Sequence, residues 1–403
     1  MLPPDPDPKP RGSAEVPIAL LVCLGVVGPL AIHLAVPALP SIARSFDTDY
    51  VRVQLLVSFY ILAYGVGQIV VGPMADQFGR RRVLLTGLAV FATASILCPL
   101  APSIEVLIGL RVVQGVSACA GIVLARAIVR DLYSGSAIAR MLGYLAMGAA
   151  MGPMLAPALG GWIYETIGWQ AIFWALTAFA VLLTALSVRF VPETLARSAD
   201  PATVRRVFRD LGILLRSRDF RLFGACICFN TAMFYSFVVG GPYVAGVLEG
   251  MSPTQYGRWF ALVAIGYATG NLVSSRIGHR YRNETLVIAG SVLVVVSVAL
   301  PLVSELAGVG SAPLLFCSMS GATFASGLMM PNAMAGSLGG DPRRAGAASG
   351  GVGFFQFAFA AAFSSLTGIL LQGGTSAIPM LAVMLAVALA GVACALPLRR
   401  RAH

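Results

Sequence analysis

Charge is what this sequence is short of. Only 11% of its 403 residues are Asp, Glu, Lys or Arg, against 58% hydrophobic residues and a mean hydropathy of +0.83. A soluble globular chain carries about a quarter charged residues, so a soluble domain is excluded and an integral membrane protein is implied. The 17 acidic residues all fall in tails, loops or the ends of apolar runs, so no carboxylate stands in mid-membrane. Histidine occurs three times, and all seven cysteines lie inside apolar runs, where they read as small packing residues; neither a disulfide framework nor a metal site is expected. No nucleotide-binding glycine loop and no nucleophile with a base is present, so enzyme chemistry is not expected. Lysine is nearly missing, one residue against 27 Arg, and nothing physical explains that bias. The Pro-rich stretch MLPPDPDPKPRGS leads straight into apolar sequence, which predicts no removable signal peptide.

What is there is a series of apolar runs. Twelve can be cut, each near the ~20 residues a helix needs to cross the hydrocarbon. They begin with Val16 to Pro40, Val51 to Met74, Val83 to Ala101, Glu105 to Ile128, Met141 to Tyr164 and Trp169 to Phe190. The second set is Leu222 to Val247, Arg258 to Ser275, Leu286 to Leu306, Pro313 to Leu338, Ala345 to Leu371 and Ser376 to Leu398. The expected organisation is an N-terminal tail (1–15), a six-helix bundle (16–190), a polar linker (191–221), a second six-helix bundle (222–398) and a short tail (399–403). If both termini are cytoplasmic, only Arg44, Arg52 and Arg258 fall on the outer side and Arg111 within a span, which leaves 24 of the 28 basic residues inside. The net charge of +11 therefore marks topology rather than nucleic-acid binding. The linker's Arg residues belong to this signal, with binding of anionic lipid as the other reading.

Between the second and third runs stands GPMADQFGRRR, Gly72 to Arg82, which reads as a tight cytoplasm-facing turn because its Asp and three Arg cannot stay in hydrocarbon. Gly72, Asp76, Gly79, Arg80 and Arg81 match the signature loop of the major facilitator superfamily, which the chain resembles over nearly its whole length. It is similar in particular to the Bcr/CflA-type drug-efflux branch. The resemblance implies an all-α membrane protein of the major facilitator fold, twelve transmembrane helices in two six-helix bundles that rock about a midplane site. A weaker echo, GNLVSSRIGHRYR, follows the eighth run without the Asp.

Further residues take expected roles from the resemblance. Arg111 and Gln114, in LIGLRVVQG, match the fourth-helix motif in which the Arg is implicated in proton coupling; an Arg that snorkels to the nearer surface is the alternative. His33, in AIHLAVPALP, stands where related efflux proteins carry a proton-accepting Asp. It either exchanges the proton or shapes the pocket as a neutral ring. Asp131 falls where the family pairs an acid with the loop's Arg, so Asp76, Arg80 and Asp131 are expected to form a charge relay at the inner gate. In the fifth run Gly143, Gly152, Pro157, Gly160 and Gly161 fit the spacing of the antiport motif, with Ala156 in place of one Gly. Such residues serve close helix packing and a bend.

Helical spacing groups candidate cavity residues: Tyr60, Tyr64 and Gln68 on the second helix, Asn230 on the seventh, Asn332 on the tenth and Gln356 on the eleventh. With Gln114 these are the expected substrate contacts, apart from Gln68. A cavity with Arg111 and no acid favours neutral, zwitterionic or anionic compounds. The expected function is efflux of small amphiphilic compounds from a bacterial inner membrane by proton antiport, with the proton gradient as energy source and no cofactor. Its partners are a small molecule, protons and the bilayer, without nucleic acid, and the chain is expected to be a monomer. The alternatives are an uncoupled transporter or importer of a small organic anion, and a non-transporting membrane sensor.

Overall fold

The computed structural model describes residues 16–134, 136–195, 204–338 and 345–401. The expected N-terminal tail, part of the linker (196–203) and the last two residues of the expected C-terminal tail lie outside the described residues. Among the described residues the chain is helical, without a strand. The first crossing is made by α1 (Ile18–Ala35), a 3₁₀ turn at Val36–Ala38 that contains Pro37, and α2 (Leu39–Ser45). It is followed by α3 (Tyr50–Phe78), α4 (Arg80–Leu97), α5 (Ile104–Leu132), α6 (Ser136–Thr166) and α7 (Trp169–Phe190). The short α8 (Val204–Leu214) leads to α9 (Arg218–Tyr243), α10 (Pro253–Ile277), α11 (Asn283–Leu306), α12 (Ala312–Leu338), α13 (Ala345–Leu370) and α14 (Ile378–Ala395).

Local chemistry sets several of these starts. Asp49 accepts the N–H of Arg52 at 2.8 Å ahead of α3, and Ser252 and Gln255 form a capping box around Pro253 at the head of α10. Both α3 and α5 have 29 residues. At 1.5 Å per residue that is about 43 Å, longer than the ~30 Å hydrocarbon core, so both helices project beyond it.

The expectation of a loop over Gly72 to Arg82 is corrected here. The helix α3 runs through Gly72 and Asp76 to Phe78, and only Gly79 lies outside a helix before α4 begins at Arg80. Its φ of +98°, a region open to glycine and strained for other residues, turns the chain in one residue. Apolar patterning predicted where the hydrocarbon ends, whereas backbone hydrogen bonding carries the helix on into the polar region.

The two halves repeat the same packing. In the first, α1 lies on α6, α3 on α5, and α4 on α5 and α7; in the second, α9 lies on α13, α10 on α12, and α11 on α12 and α14. The halves join by the equivalent pairs α3 with α13 and α6 with α10. This is the arrangement of two six-helix bundles that the resemblance implies. Along α3 and α13 the join includes a hydroxyl pair, Ser58 with Ser364 at 2.9 Å, and Gln54, which donates to the Ser365 carbonyl at 3.4 Å. The α6–α10 contacts involve Pro157, Ala158, Gly161 and Glu165 against Pro253, Thr254 and Gly257, at the end opposite the Arg-rich turn.

Candidate functional site

The Arg-rich turn is fastened by acids from three places. Arg80 Nε lies 2.7 Å from Asp131 at the end of α5, an ionic contact whose N–H points off the hydrogen-bond axis, and Arg80 Nη2 lies 3.5 Å from Asp76. Two further residues, not anticipated from the sequence, complete it. Glu193, just after α7, accepts the backbone N–H groups of Arg80 and Arg81 at 2.9 and 3.2 Å, a carboxylate on the N-terminus of α4. Thr194 donates to Asp131 at 2.8 Å, and Arg81 Nη2 donates to the Val188 carbonyl at 2.7 Å. The signal available in the sequence was a polar Glu-Thr pair at the end of a span, which becomes specific only once that end is placed beside Gly79. These contacts lie within the first half and the start of the linker, Glu193 and Thr194, and they coexist with the α6–α10 contacts at the opposite end. Gly72 stands apart, with open space where a side chain would be.

Arg111 is wholly buried and lines no opening. Its guanidinium donates to Gln114 Oε1 at 2.9 Å, the Ala31 carbonyl at 3.1 Å and the Leu56 carbonyl at 3.3 Å, and lies 4.2 Å over the Tyr60 ring. Gln114 in turn donates to Ser95 at 2.7 Å. One charge thus knits α1, α3 and α5, and through Gln114 α4, with carbonyl dipoles and a π face in place of a carboxylate. Snorkelling does not occur. The guanidinium is enclosed here, so it does not by itself carry the expected preference for neutral, zwitterionic or anionic compounds.

His33 is also fully buried, yet neither ring nitrogen has a hydrogen-bond partner. The ring faces the second half, with Phe234, Tyr235 and Phe260 each at 6.0 Å between centroids. Ala31, whose carbonyl takes Arg111, is two residues away and so points to the other side of the helix. No hydrogen bond joins His33 and Arg111: one serves the boundary between halves, the other the interior of the first.

The small residues of α6 serve two different partners. Gly152 lies on Pro29 and Leu30, and Gly160 directly on the Leu34 carbonyl, both within the first half. Gly161 meets the Pro253 carbonyl, and the Pro157 carbonyl meets Gly257, both across the boundary. Gly143 is exposed, with open space where a side chain would be.

The expected substrate contacts scatter. Tyr60 is fully buried under Arg111 with its hydroxyl on the Gly28 carbonyl at 3.2 Å. Tyr64 is buried at the boundary, its ring edge-on to Phe357 of α13 at 5.1 Å. Asn230 accepts from Ser326 at 2.8 Å, and Asn332 donates to Ser274 at 2.8 Å, so both amides tie helices of the second half together. Gln356 on α13 is half-buried. Among the described residues no cluster of three His, Cys, Asp or Glu able to hold a metal is present.

Comparison with known proteins agrees with this architecture. The chain is 29% identical over 387 residues to the uncharacterized MFS-type transporter YdgK of Bacillus subtilis, with 95% of each chain covered. It is 28% identical over 384 residues to Multidrug resistance protein D of Escherichia coli, with 95% of this chain and 96% of that protein covered. In fold it is similar to a bacterial homologue of the human lysosomal transporter Spinster, with a TM-score of 0.73 at 15% identity, over 95% of this chain and 96% of that one. A family model described as Major Facilitator Superfamily matches residues 21–365, most of the chain, and together with the paired helical halves this makes the protein a member of that superfamily of membrane transporters.

Proposed function

We propose that this protein exports small amphiphilic compounds across a bacterial inner membrane in exchange for protons, by alternating access. Residues 16–190 and 222–398 are the moving bundles, 191–221 the linker, and both termini are cytoplasmic. The full-length similarity to a multidrug resistance protein supports the substrate class. The concentration of Arg at one end supports the orientation. In that orientation the α6–α10 contacts close the outer side.

The observation that carries the proton reading is His33, a fully buried imidazole with two unpartnered nitrogens at the boundary between halves. Of the three rings against it only Tyr235 is titratable. Parting of the outer ends wets the imidazole and lets it take a proton near neutral pH. Closing them buries it again without an acceptor, and an unpaired buried charge is costly, so the proton is handed on as the halves close. Arg111 positions α1 for this exchange, and the Gly79 clasp holds the inner ends of α3, α4 and α5 as one body.

The test uses sealed inside-out vesicles with an acidic interior and a pH dye, to which phenicol-like, sulfonamide-like and organic-anion compounds are added in turn. Antiport predicts that a transported compound collapses the gradient with the parent chain and not with His33→Ala. Labelled compound crossing without any dye response overturns coupling and leaves an uncoupled or importing carrier.

A further inference from the structure

The linker helix α8 leaves part of its apolar face uncovered. Leu211 is buried against Gly351 of α13, in a cluster with Phe220, Phe223 and Val352, and α8 also packs on α3. Phe208, by contrast, is 56% exposed, and Leu215 is 40% exposed. Residues 215–217 continue the helical sense, with Leu215 N–H on the Leu211 carbonyl at 2.9 Å and Arg216 N–H on the Ile213 carbonyl at 3.1 Å. At 100° per residue Phe208 and Leu215 form one strip, and Arg205, Arg209 and Arg216 form the strip beside it. All three Arg are exposed, and no carboxylate among the described residues pairs with them. Uncovered apolar side chains edged by unpaired guanidinium groups are what a helix lying in a membrane interface requires.

The location fits one occupant. The helix sits at the Arg-rich end, across α3 and α13, the pair that joins the halves along their length. We propose that α8 is a binding site for anionic phospholipid of the adjoining leaflet. Arg205, Arg209 and Arg216 take the headgroup phosphates while Phe208 and Leu215 enter the acyl region. Because α8 touches one helix of each half, lipid bound there bears on how the inner ends of α3 and α13 separate. The binding does not depend on what the protein transports.

The test measures lipid retention by the purified full chain in native mass spectrometry, with phosphatidylglycerol and phosphatidylcholine as probes, alongside spin labelling at Phe208→Cys in vesicles of either lipid. The expected result is preference for phosphatidylglycerol, falling about fivefold for each of R205Q, R209Q and R216Q. The triple Arg→Lys variant, which keeps the charge, is expected to retain most of it, and the label at 208 to lie below the headgroups in phosphatidylglycerol vesicles. Equal retention of both lipids, an unaltered preference in the triple Gln variant, or a water-exposed label overturns the proposal. So does displacement of the lipid by inorganic phosphate alone, which would make this an ion site.

Discussion

Glu165, at the end of α6, accepts hydrogen bonds from both the backbone N–H and the hydroxyl of Thr254 at the start of α10, the N–H at 3.0 Å. The carboxylate of one half therefore caps a helix of the other, where the helix dipole favours negative charge. Burial pushes the Glu165 carboxyl up, but the bonds from Thr254 and Ser252 and the charge of Arg258 outweigh it and hold the group below its ordinary value.

In the proposed alternating-access cycle this contact is expected to act as a pH-sensitive latch on the outer ends. A carboxyl whose pKa is lowered in the latched state stabilises that state above the ordinary carboxylate range and ceases to do so as pH falls through the lowered value. Glu165→Gln is expected to shift the population toward separated outer ends about twofold to fivefold, from the ~0.3–1 kcal/mol of a charge at a helix terminus. Spin-label distances between Ile167→Cys and Val247→Cys report it: they lengthen in the variant, and in the parent they lengthen on acidification. Identical distance distributions in both proteins across that pH range would show that the latch is idle.

The glycines of α6 are expected to separate by partner. Gly160→Ala places a methyl group on the Leu34 carbonyl and should lower stability by about 1–3 kcal/mol in thermal unfolding. Gly161→Ala, whose new carbon would stand 2.5 Å from the Pro253 carbonyl, should leave the fold intact and lengthen the same outer distances. Gly143→Ala should change stability by less than about 0.5 kcal/mol. A stability loss at 143 equal to that at 160 would return the whole stripe to general packing.

Arg111→Lys is expected to fail as fully as Arg111→Met. An ammonium cannot reach Gln114 and the carbonyls of Ala31 and Leu56 together, and the loss of charge-assisted bonds should cost about 1.5–3 kcal/mol. Unfolding in detergent measures this. Lysine restoring full stability would mean that charge alone suffices, against the fork geometry described.

At the Arg-rich turn, Gly79→Ala meets both a strained φ and the Glu193 carboxylate, 2.5 Å from the new carbon. The expected cost is about 1–3 kcal/mol. Glu193→Ala removes the α4 cap and should cost about 1 kcal/mol, with Thr194 and Asp131 still paired. Additive losses in the double variant would show that strain and cap act separately; a smaller combined loss is expected because the two groups touch.

The candidate site was partly legible. Asp76 and Arg80 meet because they stand four residues apart across a one-residue turn, and Asp131 joins them, as the resemblance implied, through the packing of α5 on α3 and α4. Tyr60, Asn230 and Asn332 were grouped as cavity residues because amides and phenols avoid lipid. A neighbouring helix meets that need equally well, and spacing on one helix does not say which neighbour it will face. Glu165 and Glu193 passed as loop acids for the same reason: their partners lie 89 and 113 residues away in the chain.

The amino-acid sequence by itself determined the membrane class, the apolar spans, the crowding of Arg at one end and the internal repeat. Each of these follows from transfer of side chains out of water, a property that composition and order already contain. Tertiary structure decided that Arg111 is enclosed by carbonyls while His33, two residues from one of those carbonyls, turns to the other half without a partner. It also decided which glycines of α6 face their own half and which face α10. Those outcomes depend on the rotation of each helix about its axis, and that rotation is set only when all the helices pack together.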